Sequence, residues 1–144
     1  AKSLLAAKGA GAVPEPSVLP GPTGESNRLG LSVRGPVLCL GPGAKAAEAQ
    51  AKAVADLGGA PVIAGGSVPP AALETLEPLA TALWWGDDAT GRLYETALSR
   101  RAGPIVALVT AMPDEGYVLH ERHVCIDTTA AGGNAALLAQ VSEA

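Results

Sequence analysis

Four short apolar runs are spaced between Pro36 and Val109: PVLCL, APVIAGG, TALWW and PIVALV. Each is short for a helix and rich in the side chains that fill a buried strand. The segments between them decide the fold. AKAAEAQAKAVADL follows the first run, and its Lys45, Glu48, Lys52 and Asp56 recur at three- and four-residue spacing, as one solvated helix stripe does. Gly58 and Gly59 stop that helix. After the second run, Ser67 as a cap, Pro70 in a first turn and Pro78 at the end mark a short helix. After the third, Asp87 or Asp88 caps ATGRLYETALSRR, whose Arg100 and Arg101 suit the negative helix end, and Gly103 closes it. Strands alternating with helices require a parallel sheet covered on both faces, joined by right-handed crossovers. The expected fold is α/β: a Rossmann-like three-layer domain with a mostly parallel sheet, its core over residues 36–116.

The flanks read differently. Residues 1–35 include GAGAVPEPSVLPGPTGESNRLG, whose prolines and glycines break helix and sheet alike, so an irregular linker or arm is expected behind a short helix at the start. MPDEG turns the chain, and residues 117–144 begin with the extended YVLHERHVCID, an edge strand or arm, before the terminal motif.

Composition narrows the function classes. The chain has 144 residues, enough for one domain with a real core. It has no phenylalanine, so the core falls to Leu, Val, Ile and Ala, with Trp84, Trp85 and two tyrosines as the large rings. A net charge of −4 without a basic stripe argues against nucleic acid. No run approaches the roughly 18 apolar residues that span a bilayer. AKSLLAAKGAGAV is too broken by lysine and glycine to be a signal peptide. Cys39 and Cys125 read as buried, reduced thiols of a cytoplasmic protein.

Several stretches resemble chemistry. Gly41, Gly43 and Ala46 follow a strand and open a helix, as in the G-x-G-x-x-A dinucleotide fingerprint. Pro42 brings no N–H, and no acidic residue stands at the end of the second strand, where VIAGGS offers only Ser67. The loop is either an independent dinucleotide-binding module or a tight strand-to-helix turn that holds no nucleotide. His120 and His123 sit three apart, a spacing that puts strand residues on opposite faces, so no metal site is expected. Neither cysteine has the basic or helix-start setting of a nucleophile, and no catalytic residue is expected. Asp87 and Asp88 end a strand, where they either hold a ligand or cap the next helix. Gly132 and Gly133 precede Asn134 rather than the lysine of a phosphate loop, so the tail fits docking better than phosphate.

LPGPTGESNRLGLSVRGPVLCLG, from Leu19 to Gly41, and VCIDTTAAGGNAALLAQ near the end together resemble the C-terminal part of the bifunctional proline utilization A (PutA) flavoenzymes. Ile126–Asp127–Thr128 stands where that family has Val-Asn-Thr, an exchange that keeps size and adds charge. The resemblance implies a parent that oxidises proline to glutamate through an FAD-dependent proline dehydrogenase and an NAD-dependent pyrroline-5-carboxylate (glutamate semialdehyde) dehydrogenase. It implies no cofactor in this chain itself, and an aldehyde dehydrogenase-like Rossmann domain that packs on the aldehyde dehydrogenase domain of the same or a neighbouring chain. The terminal motif would help seal the channel carrying the intermediate, with Thr128, Thr129, Gly132, Gly133 and Asn134 in an interdomain contact. The parent would be a homo-oligomer, in the cytoplasm or peripheral at a membrane.

Overall fold

The computed structural model of the protein describes residues 14–128. The expected first helix and Thr129, Gly132, Gly133 and Asn134 lie outside the described residues. In chain order the strands are β1 (Ser17–Leu19), β2 (Glu25–Val33), β3 (Pro36–Cys39), β4 (Ala60–Ile63), β5 (Thr81–Leu83), β6 (Ala107–Val109) and β7 (Leu119–Asp127). The helices are α1 (Gly43–Asp56), α2 (Asp88–Ser99) and the single turn α3 (Glu115–Val118), with a 3-10 helix at Pro70–Glu74.

Contacts group Ser32–His120 as one compact unit, and Pro14–Leu31 with residues 121–128 as another. In the first unit, four strands pair in the order β4-β3-β5-β6, and every pairing is parallel. The chain starts in the middle at β3, steps to β4, then crosses back to β5. The strand order therefore reverses between β3 and β5, which is where doubly wound sheets open a crevice. The inner strands β3 and β5 are buried at every residue, while β4 and β6 are only partly buried. This is why the PVLCL and TALWW runs, apart from the hydrogen-bonded Thr81, are apolar rather than alternating.

One layer of the core joins Leu38, Leu40, Ala82 and Trp84 of the sheet side to Leu73 of the 3-10 helix and Tyr94, Ala97 and Leu98 of α2. α1 packs on β3 and β4 through buried Ala47, Gln50 and Val54, none of which belongs to that cluster. Its charged stripe faces water, and Lys52 pairs with Asp56 at 2.5 Å. Gly59 is required for close approach: a Cβ there would lie 2.8 Å from Val54 Cγ1 and 2.9 Å from Val118 Cβ. A fully buried Leu or Val contributes about 1.5–3 kcal/mol, so the layers hold this unit together.

Local readings are corrected in several places. Ser67 does not cap the 3-10 helix; Pro69 precedes it without a side-chain cap, and Pro70 fills its first position. The second strand ends at Ile63, the third at Leu83, and the fourth begins at Ala107, because only the paired stretch is strand. Tyr117 and Val118 belong to α3, where the Asp114 side chain accepts from Gly116 N–H and favours a turn over extension. Asp87, not Asp88, caps α2, accepting from Thr90 N–H at 2.8 Å. Arg101 donates to the Leu73 carbonyl, and Arg100 pairs with Glu74 at 3.2 Å.

The largest correction concerns the arm. Residues 17–33 are not irregular but form β1 and β2, an antiparallel hairpin with Ser17 opposite Leu29 and Leu19 opposite Asn27. The prolines and glycines that argue against structure are concentrated in its turn, where Glu25 N–H donates to Pro22 O at 3.0 Å and Gly24 takes a φ of 95°. β7 pairs on the other side of β2, giving the sheet order β1-β2-β7. The contacts divide the described chain after Leu31 and after His120.

Candidate functional site

The crevice at the strand-order reversal is a cleft of about 580 Å³. Pro42 and Gly43 stand at the start of α1, Ile63 and Gly65 at the end of β4, and Trp84 and Tyr94 on the far side. None of its lining residues is charged. A dinucleotide turn offers glycine N–H groups to a pyrophosphate and a carboxylate to a ribose. Here the Gly41 N–H donates to the Gln50 side-chain oxygen at 3.0 Å, and the Gln50 amide donates back to Gly41 O at 2.9 Å. Gln50 is fully buried. Pro42 has no N–H to add, and Ala46 lies on the helix beyond the cleft's lining residues. In this turn the Gly41 N–H is taken by Gln50, Pro42 has no N–H, and no acid lines the cleft.

The polar atoms of the aromatic wall are engaged as well. Trp84 and Tyr94 meet edge to face, centroids 5.3 Å apart at 76°. Trp84 Nε1 donates to Asp87 O at 3.0 Å, and the Tyr94 hydroxyl donates to Val68 O at 3.1 Å. Burial raises the Tyr94 pKa, and the charge of Asp87 adds to that. Gly86 accommodates the indole, since a Cβ there would sit 2.2 Å from Trp84 Cζ2.

Asp87 and Asp88 border a second, more polar depression of about 350 Å³ with Trp85, Arg92, Glu95 and Thr110. The Thr90 N–H, and then its side chain, hold the Asp87 carboxyl below its ordinary pKa. This is capping chemistry. Among the described residues no three His, Cys, Asp or Glu side chains group to hold a metal. His120 and His123 are both exposed on β7, in a strand geometry that sends them to opposite faces. Cys39 is buried in β3, and burial pushes its thiol up to about 12, against a smaller opposing effect of the Val62 backbone. Cys125 is exposed.

Of the terminal residues singled out by sequence, Thr128 is described. Its backbone N–H and its hydroxyl both donate to Gly24 O, at 2.9 Å and 2.7 Å. Gly24 is the second glycine of LPGPTGE, so the two motifs that carry the family resemblance meet on one carbonyl. The rest of that turn is equally tight. Asn27 is buried and donates to Glu25 Oε2 at 3.1 Å, and a Cβ on Gly21 would lie 2.4 Å from Asn27 Nδ2.

Sequence reasoning missed Gln50, Gly24 and Asn27. Gln50 had a visible signal: it lies three residues after Ala47 and four before Val54, a polar side chain inside the buried stripe of α1. The Gly24 contact had none, because its partner is 104 residues away.

No family model matches the chain. It is, however, 32% identical over 144 aligned residues to the bifunctional protein PutA of Salmonella typhimurium, an alignment taking in 84% of this chain. This is a PutA-related chain. It spans 11% of that relative's length. A crystal structure of a mutant proline utilization A (PutA) from Bradyrhizobium japonicum matches with a TM-score of 0.52 and 24% identity, over 65% of this chain and 13% of that one. At that identity the PutA likeness speaks for the α/β fold alone.

Proposed function

We propose that this chain is a non-catalytic accessory domain from the C-terminal part of a bifunctional enzyme that oxidises proline to glutamate. It supports the aldehyde dehydrogenase domain of the same or a neighbouring chain and helps close the passage through which the intermediate travels. FAD and NAD serve the parent's two dehydrogenase centres, not this chain, and the parent works as a homo-oligomer. The observation that carries this reading is the double hydrogen bond of Thr128 to Gly24 O. Thr128, the one described residue of the proposed contact set, is thereby hydrogen-bonded to the LPGPTGE turn. Val18, Val124 and Ile126 on the same three-stranded sheet are exposed, apolar surface suited to a partner domain. A closed passage keeps a reactive aldehyde from water, which is a service a domain without catalytic groups can supply. The parent works in the cytoplasm or peripherally at a membrane; among the described residues of this chain no helix is long and apolar enough to cross one.

Deleting Asp127 to Ala144 from the full-length enzyme tests the reading. The expected result is a loss of aldehyde dehydrogenase activity and of coupled proline-to-glutamate turnover, with proline dehydrogenase activity retained. Normal aldehyde dehydrogenase activity and normal coupling in the truncated enzyme would refute it.

A further inference from the structure

We infer that Gln50 and Trp85 serve as a permanent internal ligand for the rim of the parallel sheet, locking without any nucleotide the loop that a nucleotide would otherwise order. A phosphate-binding turn keeps its glycine N–H groups pointing outward, and the bound anion completes it. At Gly41 the N–H instead enters the protein and meets Gln50 Oε1 at 3.0 Å. The Gly41 carbonyl receives Gln50 Nε2 at 2.9 Å and Trp85 N–H at 2.9 Å, so one residue joins α1, the end of β3 and the segment after β5. The Trp85 indole then donates to Ala111 O at 2.8 Å, beyond the end of β6. Gln50 and Trp85 thus tie together the C-terminal ends of three parallel strands. That is the edge where open α/β sheets place their ligands.

The geometry also explains why Gly41 is glycine. Its φ is 100°, and a Cβ would stand 2.5 Å from Gly43 N. The tight turn that the fingerprint's first glycine makes is present here and is closed by the Gln50 side chain. Gln50 is a positioning residue on this reading: it touches no substrate and sets the loop. The inference concerns the fold's independence from nucleotide and stands or falls separately from the role proposed above in proline oxidation.

Amide hydrogen exchange resolved by NMR on the 144-residue protein tests it. In the protein without nucleotide, the Gly41 amide should exchange as slowly as the core amides of β3, and millimolar NAD or NADP should leave its rate unchanged. Gln50→Met keeps the volume and removes both hydrogen bonds, and should speed Gly41 exchange about tenfold or more while far-ultraviolet circular dichroism stays native. Trp85→Phe keeps the backbone N–H, so Gly41 should remain protected while amides around Ala111 exchange faster. Fast Gly41 exchange in the wild-type protein, or a rise in its protection of about tenfold on adding NAD, would overturn the inference even if the Gln50 variant fails to fold.

Discussion

In β3 every residue is buried, whereas in β7 eight of nine are exposed. Both were legible as extended chain, yet they belong to sheets held in different ways. The parallel sheet is fixed by apolar layers on Leu38, Leu73, Ala82 and their neighbours. The three-stranded sheet has Asn27 as its one buried residue between Glu25 and Leu31, and its corner is held by hydrogen bonds at Gly24. The comparison teaches where stability resides: in the buried apolar layers rather than along the exposed strands.

Truncation is the strongest way to break it. Leu73→Ala should cost about 2–5 kcal/mol in urea unfolding, because Leu73 is fully buried and its cavity cannot close easily. Ile126→Ala, at 58% exposure, should change stability by less than about 0.5 kcal/mol. Equal costs for the two would mean that the small sheet has a core of its own. Gly41→Ala should come next, losing more than about 1 kcal/mol in the same assay, since its positive φ and the nearby Gly43 nitrogen leave no room for a methyl.

Thr128→Val sharpens the contrast at lower energy. It removes the hydroxyl bond to Gly24 O and keeps the backbone one, so about 1 kcal/mol of local protection should disappear from β2 and β7. Thr128→Ser should restore it, and hydrogen exchange in β3 and β5 should not move in either variant.

The two thiols give a chemical version of the same comparison. Cys125 should react with a maleimide in the native protein, and Cys39 should react only on unfolding. The Cys39 pKa is raised in the folded state from 9.0 to about 12, so the unfolded thiol ionises first. Its stabilising effect is therefore full below pH 9.0 and is lost as pH climbs toward about 12. Cys39→Val should remove that part of the alkaline decline in melting temperature, whereas Cys125→Val should leave it in place. The smallest effect belongs to the surface: Lys52→Ala should cost less than about 0.5 kcal/mol, because its ion pair with Asp56 is solvated on both sides.

The parallel α/β architecture could be read from the runs around Leu38 and Ala82, since strands buried on both faces show no alternation. Composition at residues 17–33 was misleading for a physical reason: its prolines and glycines shape one turn, while Glu25–Val33 pairs on both edges and gains order from its neighbours. The fingerprint at Gly41 was visible, as were the missing N–H of Pro42 and the missing acid. That the Gly41 N–H was already satisfied could be learned only from where Gln50 points.

The sequence by itself determined periodicity, punctuation and the set of donors absent from the loop, because these depend on residue type and spacing along the chain. Tertiary structure alone decided which distant groups meet: Gln50 with Gly41, and Thr128 with a carbonyl 104 residues before it. Hydrogen bonds of this kind are set by the position of whole elements, and no local pattern encodes an acceptor that arrives from the other end of the chain.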